Sequence, residues 1–365
     1  MKSLKYDYAA PHTIKKFELI DKYVEVWLQK LINFGCEKIM FIDCMSNCGV
    51  YIDSSGQIIE GTAIRVVKSI CRAMEKYPNN TAYLFFNDLD EDKCNELRRR
   101  IPVHGENVKI CVTCLDRDEF LNKLTQTKEF HDSHTLLIYD PYDAHLNWNV
   151  LSKFINKWGE VIINHMVSDP IRGVKVAKRE NTIAKYEETY QLAIEELYKF
   201  GTDRKKYEHQ VENIIKEVNS REKIWIATFP FFLPNNALIY DLIFITHSSV
   251  GFNEFKKAAW KTFGDKSSIK KGKDINQQSL DLHFQADEIV PEDECLCILD
   301  MVDYINAINR GKSCVIWDSV FDPLKNHPIF PDAYRKEILA GLKNKYKVIR
   351  YKDKTSGIYV ADFPE

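Results

Sequence analysis

Four stretches of this chain run apolar and then stop on an acid. Lys38–Ile42 ends on Asp43, Ala82–Phe86 on Asn87-Asp88-Leu89-Asp90, Val108–Thr113 leads to Asp116, and Leu136–Tyr139 ends on Asp140-Pro141-Tyr142-Asp143. An ionised carboxylate only accepts hydrogen bonds, so a row of them suits a ligand rich in hydroxyl and amino donors. For any single Asp the competing explanation is a loop or a helix N-cap. Asp140-Pro141-Tyr142 could hold an amine at the carboxylate and stack its base on the ring. Equally, Pro141 could simply end the strand in a turn.

The thiols form a second set. Cys44 and Cys48 flank the first turn, Cys111 and Cys114 make a C-x-x-C at the third strand, and Cys295 and Cys297 lie far along. A closed zinc site needs four ligands, usually from two loop knuckles. Cys111 falls inside a strand, where successive residues face opposite ways, so buried free thiols and no metal are expected.

The elements that must position these residues alternate. Phe17, Ile20, Tyr23, Val24, Trp27, Leu28 and Leu31 recur at helical spacing and predict a helix over 13–34. Strand 38–42 follows, then a compact turn holding Gly49 and a helix over 61–77. Strand 82–86 leads to a helix ending near Arg100, and strand 108–113 to one ending near Lys128. Strand 136–139 and a short helix over 150–157 precede a fifth strand, 161–164. Such alternation argues for βαβ crossovers and a parallel sheet. Residues 176–219 then read as charged helices interrupted at Gly201-Thr-Asp203. Strands 224–229 and 240–246 are joined by a link too short for a crossover helix, so they should pair antiparallel.

A mostly parallel sheet closed by an antiparallel pair separates class I methyltransferases from dinucleotide dehydrogenases. Ligands of open α/β sheets bind outside the carboxyl ends of the strands, where the acids stand. S-adenosylmethionine offers two ribose hydroxyls, an exocyclic amine and an α-ammonium, all donors that carboxylates accept.

With 365 residues and 45% hydrophobic content, the chain can bury a large core and more than one domain. The net charge of −2 names no partner. Local basic clusters at 98–100, 172–179, 204–206, 266–273 and 345–354, with Tyr186, Tyr190 and Tyr207, could form a nucleic-acid or partner surface; singly, each cluster is a solvated face. The amino terminus lacks the apolar core of a secretory leader, and no apolar stretch is long enough for a membrane span. A cytoplasmic protein with reduced thiols is expected.

Several ordered motifs resemble the three-Cys-motif partner proteins (TcmP). His12-Thr-Ile-Lys-Lys-Phe-Glu-Leu19 is similar to that family's His-Thr-x-x-Lys-Leu opening. Phe41-Ile-Asp-Cys-Met-Ser-Asn-Cys-Gly-Val-Tyr51 resembles its Tyr-Ile-Asp-Gly-Phe-Ala-Gly-Pro-Gly-Val-Tyr string, and Gly61-Thr-Ala63 stands at its Gly-Ser-Pro. Phe86–Asp90, Asp140-Pro141, His247–Phe252 and Ala258-Ala-Trp260 also fit. Asp140-Pro-Tyr lacks the second proline of the Asp/Asn-Pro-Pro-aromatic turn of amine methyltransferases. Positions 44–48 carry side chains where the family has a glycine-rich turn, and a side chain at 47 narrows the backbone's approach to a cofactor.

The resemblance implies a methyltransferase-like Rossmann domain over 1–264, with a helical insertion at about 170–222. A C-terminal winged helix-turn-helix would follow over 275–365, its final helix at 332–345 and its wing at 347–360. It implies S-adenosylmethionine as cofactor and a radical-SAM-like three-Cys-motif protein as partner, with DNA or RNA as a further one. Asp43, Gly49 and Tyr51 would shape the methionine side, Asp88 and Asp90 the ribose, and Asp116 the adenine. Asp140, Pro141 and Tyr142 would hold the methyl acceptor. The alternative is a non-catalytic adaptor of the same fold.

Overall fold

The computed structural model describes residues 5–218, 220, 222–270 and 297–365. The chain divides into two compact units, one of Met1–Leu233 and Ala237–Phe252, the other of Pro234–Asn236 and Asn253–Glu365. Between the two expected domains the structure describes residues up to 270, and residues 271–296, including the start of the expected second domain, lie outside the described set.

The first unit opens with α1 (Pro11–Asn33), whose stripe of Phe17, Ile20, Tyr23, Val24, Trp27 and Leu28 is buried. Pro11 starts it where a missing N–H costs nothing. Next come β1 (Lys38–Asp43), a hairpin of β2 (Val50–Ile52) and β3 (Ile58–Glu60), and α2 (Thr62–Met74). β4 (Thr81–Asp88) leads to α3 (Glu91–Arg100), and β5 (Val108–Cys114) to α4 (Arg117–Leu124) and α5 (Lys128–His131). Then follow β6 (His134–Tyr139), α6 (Trp148–Leu151) and β7 (Gly159–His165). The insertion comprises α7 (Ser168–Gly173), α8 (Glu180–Tyr190), α9 (Ile194–Tyr198) and α10 (Arg204–Val218). β8 (Trp225–Phe232) and β9 (Leu238–Thr246) close the sheet, and α11 (Ser249–Phe263) begins here but belongs to the second unit from Asn253 on.

Among the described residues, seven strands form one sheet in the order β5-β4-β1-β6-β7-β9-β8. β4 pairs with β5, β1 with β4 and β6, and β6 with β7, all in parallel; β9 runs antiparallel to β7 and β8. This is a mixed α/β, mostly parallel sheet with the antiparallel closing pair read from the short link after Phe229. Strands β1, β6 and β7 are buried almost throughout, as crossover strands covered on both faces must be. Met40 and Ile42 pack with Phe120, Leu137, Tyr139 and Phe154 in one core.

The second unit contains α12 (Ile298–Asn309), β10 (Val315–Ile316), α13 (Asp322–Asn326), α14 (Arg335–Tyr346), β11 (Ile349–Lys352) and β12 (Tyr359–Asp362). The strands form an antiparallel sheet in the order β10-β12-β11. Buried Lys256 donates to the carbonyls of Leu324 (3.0 Å) and His327 (2.7 Å), and Trp260 Nε1 to that of Ile329 (3.1 Å). No described helix is long and apolar enough to cross a membrane.

Several expectations are corrected. The helix over 61–77 is shorter because Gly61 is its N-cap and it ends at Met74. The helix over 150–157 is the single turn α6. The charged helical stretch also breaks at Gln191, whose φ of +50° ends α8. Tyr186, Tyr190 and Tyr207 form no surface: they are buried, and their hydroxyls bond Asp169, His165 and the Gly201 carbonyl. All described cysteines are free, but only Cys44, Cys48 and Cys94 are buried; Cys111 is exposed because β5 is an edge strand.

Candidate active site

Asp43 closes β1 with only 4% of its surface exposed. One oxygen accepts the Met45 N–H at 3.2 Å. Burial, reinforced by Asp140 and Asp88 and opposed by Lys16, pushes its carboxyl up to about 7. The turn after β1 is tightly held. Gly49 has φ +77°, and a Cβ there would meet Leu97 Cδ1 at 2.7 Å and Ile64 Cγ1 at 2.8 Å. Glycine is therefore required for the packing of α2 and α3 against the turn.

Asn47 also adopts the left-handed region, φ +57°, which asparagine tolerates better than most side chains. Its N–H donates to Asp88 Oδ2 (3.0 Å), its Nδ2 to Asp7 Oδ2 (2.6 Å), and its Oδ1 accepts the Cys48 N–H (2.6 Å). Asp7 is also paired with Lys93 at 2.8 Å. The Asn47 side chain is thus built into a bridge between the amino-terminal segment and the turn.

Asp88, buried at the end of β4, accepts the Asn47 and Asp90 N–H groups on separate oxygens. A carboxylate has about four acceptor positions, so two remain for a ligand. Leu89, immediately after it, is 74% exposed, an apolar face beside an acid. Asp90 and Asp116 point elsewhere. Each caps its own helix, Asp90 accepting from the Asp92 and Lys93 N–H groups and Asp116 from those of Asp118 and Glu119. The N-cap explanation therefore accounts for two of the expected cofactor acids.

Asp140, ending β6, is held from both sides. Lys16 of α1 ion-pairs with Oδ2, and Asn164 Nδ2 at the end of β7 donates to Oδ1 at 2.5 Å. Lys16 lies 5.4 Å above the Tyr240 ring, whose hydroxyl donates to the His12 carbonyl at 3.4 Å. Asn164 is 5% exposed, and its Oδ1 has no hydrogen-bond partner. Pro141 is buried, whereas Tyr142 is 70% exposed, with Asn47, Lys93 and Asp88 around its hydroxyl. Tyr51 packs on Phe17 with ring centroids 4.9 Å apart, and burial raises its hydroxyl well above the ordinary range.

The structure thus joins Asp43, Asp88, Asp140, Tyr51 and Tyr142 around the turn at Gly49. Lys16, Leu89, Lys93 and Asn164 belong to the same neighbourhood and carried no expectation, whereas Asn47 was expected only to narrow the approach to a cofactor. The lysine of the His-Thr-x-x-Lys string and the polar end of the fifth strand were the available signals.

Among the described residues no group of three or more His, Cys, Asp or Glu is arranged to hold a metal ion. A cleft of about 460 Å³ lies at the other end of β1 and β6, lined by Cys36, Lys38, His131, Ser133, His134 and Trp158. Ligands of such sheets go to the carboxyl ends, and the acids are gathered there, so the carboxyl edge is the candidate site.

No family model matches the sequence, and no curated protein does. Among solved structures, a DUF519-family protein from Legionella pneumophila aligns with 12% identity over 68% of this chain and 91% of its own, TM-score 0.42. A Staphylococcus aureus protein named as a caffeoyl-CoA O-methyltransferase aligns with 8% identity over 61% and 82%, TM-score 0.31. A loganic acid methyltransferase with SAH aligns with 10% identity over 71% and 88%, TM-score 0.30.

Proposed function

We propose that this chain is an S-adenosylmethionine-dependent methyltransferase acting on an amine. The observation that carries it is Asp140, fixed by Lys16 and Asn164 at the end of β6, beside an unpartnered acceptor, Asn164 Oδ1. The strand order β5-β4-β1-β6-β7-β9-β8 supports it, being that of a class I methyltransferase sheet.

The acceptor-rich edge fits the cofactor's donors. Asp43 would take the methionine ammonium, Asp88 the ribose hydroxyls, and Leu89 the face of the adenine; Asp90 and Asp116 are occupied as caps. The cofactor supplies an electrophilic methyl group. Asp140 would accept an N–H from the substrate amine, which turns its lone pair toward the methyl, and Asn164 would hold Asp140 in place. Tyr142 is exposed enough to stack on the attached ring. Transfer of this kind needs orientation more than a strong base.

Titration calorimetry with S-adenosylmethionine and S-adenosylhomocysteine tests the proposal. The parent should bind both, Asp88→Ala should bind at least about tenfold more weakly, and Asp140→Asn should bind within a few-fold while losing transfer. Absence of binding heat at millimolar ligand sinks the enzyme.

One observation favours a second function, a non-catalytic adaptor. Asn47 already engages Asp88, Asp7 and its own turn, filling the place where a cofactor would approach the backbone. The element order of the second unit, helix-strand-helix-helix-strand-strand with sheet order β10-β12-β11, supports a winged helix in either case. A three-Cys-motif protein and DNA or RNA are the partners we propose for it.

A further inference from the structure

The turn that carries Asp88 is bracketed by two thiols. Cys94, in the first turn of α3, is fully buried; its Sγ donates to the carbonyls of Thr113 (3.1 Å) and Asp88 (3.5 Å). Cys114, the last residue of β5, lies opposite Asp88 in the parallel ladder, and its Sγ donates to the Leu89 carbonyl at 3.4 Å. Both sulfurs thus sit against the carbonyls of the same Asp88-Leu89 turn, and burial followed by the nearby Cys114 charge pushes Cys94 up to about 12. Cys111 is no competitor. It sits three residues before Cys114 on a strand, so its side chain leaves the opposite face.

We propose that Cys94 and Cys114 are a dithiol that closes to a reversible disulfide when the protein meets a small-molecule disulfide. Cys114 is half-buried and reacts first. Its thiolate attacks one sulfur of the reagent, the reagent S–S bond breaks, and one reagent thiol leaves. Cys94 then gives up its proton and attacks the Cys114 sulfur, expelling the second reagent thiol. The protein loses two hydrogens and the reagent gains them as two thiols. Capping Cys114 removes the negative charge that disfavours the Cys94 thiolate, so the first step prepares the second.

Closure also removes both S–H donors. The carbonyls of Asp88, Leu89 and Thr113 lose those bonds, and the turn that fixes Asp88 is rebuilt around a covalent link between α3 and β5. The pair therefore reads thiol redox state at the edge of the candidate site, whether or not a cofactor binds there.

The test incubates the folded, full-length chain with glutathione disulfide, traps remaining thiols by alkylation, and maps peptides by mass. The expected result is loss of two hydrogens, a cross-linked peptide pair containing Cys94 and Cys114, and full reversal by dithiothreitol. Cys111→Ser should leave the cross-link intact. Cys94→Ser should stop at a glutathione adduct on Cys114. If both thiols of the parent remain alkylatable, or the parent stops at the adduct on Cys114, the dithiol is refuted. The parent's own peptide map decides, even where a serine variant fails to fold.

Discussion

Lys16 and Asp140 are 124 residues apart in sequence and ion-paired in the fold, with the lysine almost wholly buried and the carboxylate about a quarter exposed. The pair ties α1 to the end of β6, so the first helix of the chain fixes the residue proposed to meet the substrate. The asymmetry of burial has an energetic consequence. Removing the acid strands a buried charge, whereas removing the lysine leaves an acid that water can reach.

Asp140→Ala should therefore destabilise the protein by about 2–3 kcal/mol, and Lys16→Met by about half of that. Adding Lys16→Met to Asp140→Ala should recover part of the loss. Urea unfolding of the four proteins closes the cycle, and simple additivity would show that the pair is not coupled.

Asp90 and Asp116 should behave as caps and not as ligands. Each substitution to Ala should cost about 1 kcal/mol of stability by removing the acceptor of two backbone N–H groups. Affinity for S-adenosylhomocysteine should stay within about threefold of the parent for both. A tenfold loss in either would return that acid to the cofactor site.

The strands of the main sheet were legible because crossover strands buried on both faces read as continuous apolar runs, as in Lys38–Ile42 and Leu136–Tyr139, whereas the short β2–β3 hairpin was read as part of a compact turn. The row of acids was legible as well, but not its division of labour. Asp116-Arg-Asp-Glu119 already had the form of a helix start, an acid followed three residues later by Glu. Tyr186 and Tyr190 stand at i, i+4, a core spacing, but the charges around them mask it and point to a surface. Helix α11 was not read: Phe252, Phe255, Ala259 and Trp260 keep helical spacing and are buried, but the polar residues after Ser249 obscure it. The Lys16–Asp140 pair could not be read, because nothing local links positions so far apart.

Asp43 should make stability fall as pH rises through neutrality. Its carboxyl goes from an ordinary 3.8 to about 7 in the fold, so the folded state holds a proton over that interval that the unfolded chain has released. The associated stabilisation is complete below about pH 4 and is lost as pH rises through about 7. Asp43→Asn should then be more stable than the parent at pH 8 by about 1–3 kcal/mol and equal to it near pH 4. Glu160, also pushed up to about 7 by burial and held by Tyr23 and Thr246, keeps a residual slope of the same sign in the variant. Parallel pH curves for parent and variant would remove Asp43 as the source.

Asn47 distinguishes enzyme from adaptor most directly. At φ +57° glycine fits without strain, so Asn47→Gly should lie within about 1 kcal/mol of the parent, and Asn47→Ala should be the less stable variant. Asn47→Gly also frees Asp7 and opens the turn. Tighter binding of S-adenosylmethionine by a few-fold is expected, read by calorimetry. Unchanged affinity would mean that the Asn47 side chain does not limit the cofactor's approach.

The β11–β12 hairpin of the second unit carries the nucleic-acid proposal, and its residues are not equivalent. Arg350 lies 5.1 Å from the Trp317 ring and 4.2 Å from that of Tyr359, so it is packed between aromatic faces. Arg350→Ala should cost about 1–2 kcal/mol through lost cation–π and packing contacts, whatever the chain binds. Lys352 and Lys354 are exposed, as are Lys336 and Lys343 on α14. Each lysine that neutralises a phosphate of duplex DNA contributes about 0.9 to the slope of log affinity against log salt. Reversing both Lys352 and Lys354 to Glu should therefore weaken duplex binding and lower that slope by about 2, with the melting temperature preserved. A parent that binds neither DNA nor RNA at low salt, or a double variant with the parent's slope, would leave the second unit as a protein-docking module.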